Sequence, residues 1–129
     1  MTRLTAIHPV LPTKAVKPAI DFYVGRLGFQ LAGTDRADDP RYAVIRRDAI
    51  EAHLQWHSAE EWARDGVDRL MLRIAVDDPA SLFAEYADKG VFHDRTALRK
   101  TGWGTEEFAF YDLDGNGLTF YRDLDEGGP

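Results

Sequence analysis

The predicted elements occur twice along the chain in the same order, and this repeat limits the folds that the chain can adopt. Strand, helix and three further strands are predicted in the first half over 4–11, 16–27, 29–34, 42–46 and 50–56. The same order follows in the second half over 69–76, from Asp77 or Asp78 to Gly90, and over 91–92, 107–111 and 118–121. The sequence therefore predicts a duplicated βαβββ module.

The spacing of turn residues supports the repeat. Gly28 and Gly90, which are predicted to end the two helices, are 62 residues apart, and Asp48 and Asp114, which open the two last hairpins, are 66 apart. A sheet with one helix leaves a face uncovered. We therefore predict one α+β domain over 1–129, in which modules at about 4–57 and 68–122 form a half-barrel concave sheet with flanking helices.

Composition narrows the functions that such a domain can have. The chain has 129 residues with 44% hydrophobic residues, no cysteine and a net charge of −6. A packed core is expected, thiolate chemistry is excluded, and nucleic acid is an unfavourable partner for an acidic protein. No apolar run approaches the roughly 20 residues that span a bilayer, and the first residues lack the pattern of a secretory signal. We expect a cytoplasmic protein that binds no membrane.

Three stretches resemble a known superfamily: Leu11–Phe29, Val76–Tyr86 and Asp112–Asn116. With the duplicated module, they resemble the vicinal oxygen chelate superfamily of glyoxalases, extradiol dioxygenases and bleomycin resistance proteins. Finer details, Val10–Pro12, Leu82–Tyr86 and Trp103–Ala109, resemble the bleomycin resistance branch. The resemblance implies a pocket on the concave sheet.

The superfamily's enzymes hold a divalent metal with His, Gln or Glu on the first and last strand of each half. The matching positions here carry His8, His53, Met71 and Thr119. Methionine and threonine are poor ligands for such metals, so we predict no metal, no cofactor and no catalytic residue. The alternative is a site formed by His8, His53 and Glu51, which would belong to a metal-dependent glyoxalase-, dioxygenase- or thiol-transferase-like enzyme.

Without a metal, aromatic and acidic side chains must provide the binding chemistry. Trp103 lies between two glycines in Thr101–Gly104, a setting typical of an exposed ring. The resemblance assigns the matching tryptophan to stacking on the planar part of bleomycin, and the aromatic residue that matches Tyr42 to the partner subunit's side of the same groove. His53 and Thr119 are predicted to line the groove, and Trp56, with Trp62, to line its mouth. The alternatives are loop anchoring for Trp103, a half-buried position in the sheet for Tyr42, and packing of the connector against the barrel for Trp56 and Trp62.

Two neighbouring glutamates, Glu106 and Glu107, follow Trp103 and are candidates to attract a cation over the indole. Arg95, Arg99 and Lys100 precede it and partly cancel that charge. We therefore predict a non-catalytic protein that sequesters a planar cationic antibiotic of the glycopeptide type, with a drug-sensing module as a further alternative.

The resemblance also predicts an oligomer. Bleomycin resistance proteins exchange their first strand and form two grooves at the dimer interface. Pro9 restricts His8 to an extended conformation, which suits a segment that crosses to a neighbour. We predict a homodimer in which the first strand is exchanged.

Overall fold

A computed structural model describes residues 1–124, apart from the side chain of Asp65. Two compact units divide the chain, the first formed by Met1–Asp68 and the second beginning at Arg69. Within the described residues, no helix has the length and apolar character needed to cross a membrane.

The first unit is a four-stranded mixed sheet with one helix. Its elements are β1 (Val10–Thr13), α1 (Val16–Ile20), a π-helical continuation (Asp21–Arg26), β2 (Gln30–Thr34), β3 (Tyr42–Arg47) and β4 (Ile50–Trp56). The strand order is β1-β4-β3-β2, with β1 parallel to β4 and the other neighbours antiparallel.

Alternation along these strands separates the two faces of the sheet. Leu11, Ile45 and Leu54 are buried on the face that packs against α1. The helical segment ends before Gly28, whose φ of 80° is accessible to glycine at little cost. The opposite face, which we call the first helix-free face, carries Tyr42, Val44, Arg46, Glu51, His53 and Gln55.

The second unit repeats this arrangement. Its elements are β5 (Met71–Ala75), α2 (Pro79–Tyr86), β6 (Arg99–Lys100), β7 (Thr105–Tyr111) and β8 (Gly117–Asp123), in the sheet order β5-β8-β7-β6. Asp78 caps α2, because its side chain accepts the N–H of Ser81 at 3.1 Å and Pro79 occupies the first turn.

An aromatic cluster joins α2 to its sheet. Tyr86 contacts Phe108, Phe110 and Phe120 edge-on at centroid distances of 5.8–6.4 Å, and Phe83 packs on Phe108. The second helix-free face, opposite α2, carries Met71, Arg73, Ala75, Thr105, Glu107, Ala109, Tyr111, Gly117, Thr119 and Tyr121.

Buried polar groups hold the last hairpin in place. Asp112 Oδ1 accepts the N–H groups of Asp114 and Asn116, both at 2.9 Å, while Asn116 Nδ2 donates to Asp112 Oδ2 at 3.0 Å. Asn116 Oδ1 also accepts the N–H of Leu70, just before β5. The Asp112–Asn116 motif is therefore a structural turn.

The α+β class and the duplicated βαβββ module are confirmed. Two strand predictions were wrong. Residues 4–9 lie outside any strand, since β1 begins only at Val10, after the proline that cannot donate to a ladder. Residues 91–92 form no strand, because Val91 and Phe92 pack into the aromatic core and the edge strand is instead Arg99–Lys100. The single domain over 1–129 stays a prediction.

Candidate functional site

The first helix-free face carries a closed set of polar contacts centred on Glu51. The two-residue turn at Asp48–Ala49 pairs Arg46 with Glu51 across the hairpin, and Arg46 Nε donates to Glu51 Oε1 at 2.8 Å. His53 Nε2 lies 2.8 Å from Glu51 Oε2, and His8 Nε2 lies 3.3 Å from the same oxygen. Both carboxylate oxygens are therefore occupied.

Tyr42 completes this set, which we call the Glu51 cluster (His8, Tyr42, Arg46, Glu51 and His53). The Tyr42 hydroxyl lies 2.6 Å from His53 Nδ1. An ionised carboxylate can only accept, so Nε2 of neutral His53 carries the proton, and Nδ1 accepts from the tyrosine hydroxyl. The rings of His8 and His53 stack at 5.4 Å.

The cluster keeps Glu51 ionised. The hydrogen bond from His53 and then that from Arg46 lower the pKa of Glu51 from 4.5 to about 2, against the opposing effect of desolvation. Glu51 is thus an anion at every ordinary pH, and it orients three basic side chains around itself.

The alternative metal site can be tested against this geometry. His8, Glu51 and His53 do come together, as that alternative requires. Both histidine Nε2 atoms, however, point at one carboxylate oxygen, and His53 Nδ1 is taken by Tyr42. Within residues 1–124, no group of three or more His, Asp or Glu side chains has an arrangement that could hold a metal ion.

The other two positions that match metal ligands lie on the second helix-free face. Met71 is 72% exposed, and its sulfur lies over Gly117, where an added Cβ would come within 2.6 Å of it. Thr119 is half-buried between Arg73 on β5 and Ala109 on β7. Neither side chain supplies a strong ligand for a divalent metal.

Trp103 is presented outward by a tight loop. The residue is 71% exposed. The loop is anchored by Thr101, whose N–H donates to the Thr105 carbonyl at 2.8 Å and whose hydroxyl accepts the Thr105 N–H at 3.1 Å. Gly104 adopts a φ of 89°, which closes this turn. The indole is therefore free for a ligand while its backbone is held.

The two glutamates after Trp103 lie on opposite faces of β7. Glu106 points to the α2 side and pairs with Arg122 at 2.9 Å. Glu107 lies on the second helix-free face, accepts the Thr105 hydroxyl at 2.7 Å and lies 3.4 Å from Arg73. Strand alternation thus leaves only Glu107 on the face that carries Thr119.

Trp56 also lies on the opposite face from His53. It follows the parity of the buried Ala52 and Leu54, and its ring stacks under the guanidinium of Arg41 at 4.0 Å. Trp62, in the π-helical connector Glu61–Asp65, lies beneath the ammonium of Lys14 at 5.3 Å. Both tryptophans pack within the first unit.

Comparison with known proteins identifies the family of the chain. The profile of the Glyoxalase/Bleomycin resistance protein/Dioxygenase superfamily matches residues 5–120. The chain belongs to this superfamily. Bleomycin resistance proteins from Geobacillus stearothermophilus and Staphylococcus aureus are each 26% identical to it over 129 residues, covering 90% of this chain and 95% of their own length.

Solved structures agree on the fold. The bleomycin-binding protein of bleomycin-producing Streptomyces verticillus, in complex with copper(II)-bleomycin, is 28% identical, with a TM-score of 0.72 over 98% of this chain and 100% of that protein. TioX from Micromonospora sp. ML1 has a TM-score of 0.76 at 21% identity, over 92% of this chain and 100% of its own.

Sequence reasoning missed the hydrogen bonds and ion pairs that connect the residues of the Glu51 cluster. The signal was present, because a two-residue turn at Asp48–Ala49 fixes the pairing of Arg46 with Glu51 and of Val44 with His53. The contact of His53 with Tyr42, which is diagonal across the ladder, depends on side-chain direction and could not be read from spacing.

Proposed function

We propose that the protein is a non-catalytic binding protein of the bleomycin resistance type, which sequesters a planar cationic antibiotic of the glycopeptide kind. The observation that carries this proposal is Trp103, an exposed indole on a loop fixed by hydrogen bonds at both ends. Such a ring can stack on a planar ligand without loss of loop entropy. The relative crystallised with copper(II)-bleomycin supports the choice of ligand.

Further residues have defined roles in this proposal. Tyr42 offers a π face whose position is fixed by its hydrogen bond to His53. Glu107 and Thr119 line the second helix-free face, where Glu107 can meet a cation by exchanging its loose contact with the half-exposed Arg73. Glu106 and Trp56 lie on the helix-covered faces and have no role in it. A cytoplasmic location stays a prediction from the sequence.

Calorimetric titration with metal-free and copper-loaded bleomycin tests the proposal. We expect saturable binding, and Trp103→Ala should weaken it by about 1–3 kcal/mol, the range for stacking on planar bases. Leu113→Ala is a matched control, because Leu113 is also an exposed apolar loop residue of the second unit. Failure of both forms of bleomycin to bind, or equal affinity in the folded Trp103→Ala variant, would contradict the proposal.

We also propose that the protein is a homodimer that exchanges the segment before β1. Residues 1–7 are exposed throughout, including Leu4 at 102% and Ile7 at 93% of full exposure. Apolar side chains in that state favour burial against another surface, and a second copy of the chain supplies one. In that dimer, Trp103 of one protomer would face Tyr42 of the other across the ligand.

Sedimentation equilibrium tests the dimer. We expect twice the chain mass of 14.6 kDa at micromolar concentration, and a shift to monomer when residues 1–7 are deleted, with His8 and the Glu51 cluster retained. The double variant Leu4→Ser and Ile7→Ser should weaken the dimer without shortening the chain. A folded full-length monomer at that concentration would overturn the proposal.

A further inference from the structure

A cavity of about 200 Å³ lies within the second unit, on its helix-free face. Its lining divides by chemistry. The basic or polar residues are His93, Arg95, Thr96, Arg99 and Thr119, and the apolar or aromatic residues are Met71, Ala109, Phe110, Tyr111, Gly117 and Leu118. Among the described residues that line the cavity, none is acidic.

Small residues at the centre of the sheet create this space. Ala109, Gly117 and Thr119 lie side by side on β7 and β8, where Ala109 pairs with Thr119. At the matching register positions of the first sheet stand Val44 and His53, which fill the same place. The cavity therefore results from the small side chains that the sequence places at these strand positions.

The two arginines of the cavity form no ion pair within residues 1–124, although Arg99 lies across the ladder from Glu107, whose carboxylate contacts Thr105 and Arg73. Arg95 and Arg99 are exposed, and within residues 1–124 neither forms an ion pair or a side-chain hydrogen bond. Arg73, by contrast, pairs with Glu107 and stacks on Tyr121. Two unpaired guanidinium groups at one cavity are an arrangement suited to a carboxylate or phosphate, whose oxygens match the fork of donors.

Hydrogen bonds fix the segment 93–96, which lines the cavity, to the neighbouring strand β7. Tyr111 N–H donates to His93 Nε2 at 3.0 Å, and the Thr96 hydroxyl donates to the Ala109 carbonyl at 3.0 Å. The Thr96 hydroxyl also accepts the His93 N–H at 3.0 Å. These contacts fix the segment that carries Arg95 against β7, so the site exists before a ligand arrives.

We propose that this cavity binds a small organic anion, with its carboxylate or phosphate at Arg95 and Arg99 and its apolar body against Met71 and Tyr111. The volume lies below the 300–1,000 Å³ typical of drug-sized ligands, so it fits a ligand of one ring. This goes beyond the cationic antibiotic proposed above, because it assigns the opposite charge to Arg95 and Arg99; of the residues proposed for the antibiotic, only Thr119 also lines the cavity. The anion is either a free molecule or an acidic group carried by a larger ligand.

Three probes of one shape and different charge test the proposal by calorimetry at low ionic strength. Benzoate should bind with one site per chain, neutral benzamide about tenfold more weakly or worse, and cationic benzamidine not detectably. Phenyl phosphate should compete with benzoate. Absence of benzoate binding, or equal affinity for benzamide, would overturn the proposal.

Variants locate the site. The double variant Arg95→Ala and Arg99→Ala should weaken benzoate binding about tenfold or more. Lys100→Ala is the matched control, since Lys100 follows Arg99 but lies on the opposite face of β6, paired with Glu106; its affinity for benzoate should stay unchanged. Unchanged benzoate binding in the folded double variant would also overturn the proposal.

Two further arms separate this inference from the antibiotic proposal. Trp103→Ala should bind benzoate as the parent protein does, because Trp103 does not line the cavity. If the anion site takes a free molecule, copper-bleomycin should bind equally well with and without saturating benzoate. If it takes an acidic group of a larger ligand, biphenyl-4-carboxylate should bind better than benzoate and better than biphenyl-4-carboxamide, and the double variant should abolish the difference between the acid and its amide.

Discussion

The two helix-free faces occupy the same place in a duplicated module, yet their polar side chains make different contacts. Register aligns Glu51 with Gly117, His53 with Thr119 and His8 with Met71. The first face contains a carboxylate at its centre, and basic and phenolic groups gather around it. The second face contains a glycine there; its Arg73 pairs with Glu107, whereas Arg95 and Arg99 form no ion pair with the described residues.

The two hairpin turns show the reverse difference. The turn of the first unit, at Asp48–Ala49, is short and exposed, with Asp48 at a φ of 51°. The turn of the second unit buries Asp112, Asp114 and Asn116 in a hydrogen-bonded network. The second unit thus places three of its four described buried polar residues in the turn, the fourth being Thr105 at the start of β7. A duplicated fold can therefore keep one rigid scaffold and use the face of each copy differently.

The largest effect should come from the buried turn. Asn116 is fully buried, and Asn116→Ala leaves the Leu70 N–H without its side-chain acceptor and removes one hydrogen bond to Asp112 Oδ2. At about 1–3 kcal/mol for the unsatisfied Leu70 N–H and about 0.5–1.5 kcal/mol for the lost hydrogen bond to Asp112, the free energy of unfolding should fall by about 1.5–4.5 kcal/mol. Urea unfolding measures it, with exposed Leu113→Ala in the same turn expected to cost little. A loss below that of Leu113→Ala would show that the network is not needed.

Acid should act on the first face through Glu51. The pKa of Glu51 in the folded protein is about 2, below its ordinary value of 4.5, so its contribution to stability is complete above about pH 4.5 and is lost as the pH falls towards 2. Glu51→Gln should remove that part of the acid dependence. Unfolding curves at pH 5 and pH 2.5 measure the difference. Glu60→Gln, at an exposed site, should keep the parent's dependence, and an unchanged slope in Glu51→Gln would contradict the cluster.

A smaller effect should follow from the tyrosine hydroxyls. Tyr42→Phe removes the donor to His53 Nδ1 and should cost about 0.5–1.5 kcal/mol of unfolding free energy. Tyr111→Phe is the matched change on the second helix-free face, where no side-chain hydrogen bond of Tyr111 exists within the described residues, and it should fall within about 0.5 kcal/mol of the parent. Thermal unfolding measures both variants. Equal losses of unfolding free energy would contradict the inference that only the first face uses its tyrosine hydroxyl in a hydrogen bond.

The smallest effect should come from the arginines. Arg46→Ala breaks a 2.8 Å contact with Glu51 on a largely exposed side chain, which is worth about 0.2–1 kcal/mol. Arg99→Ala removes no ion pair or side-chain hydrogen bond with the described residues and should leave the unfolding free energy within about 0.5 kcal/mol of the parent. A loss in Arg99→Ala as large as in Arg46→Ala would mean that Arg99, too, has a stabilising partner within the protein.

The sequence by itself determined the architecture, because the signals for it are local. Apolar periodicity, Asp78 before Pro79, Gly28 and Gly90 after the helical segments, and the polar turn at 112–117 each act within a few residues. They were enough to predict the two modules and all but two strands. The two errors arose where a local signal competed with another: Pro9 interrupts β1, and the apolar pair at 91–92 is core rather than strand.

The tertiary structure alone decided which side chains act together. Glu106 and Glu107 are neighbours in sequence, but the alternation of β7 separates them onto opposite faces and gives each an arginine from another strand. His8 and Glu51 are far apart in sequence, yet the parallel pairing of β1 with β4 brings them within 3.3 Å. Spacing along a chain fixes the face of a residue only once the strand register is known, and the register depends on non-local packing.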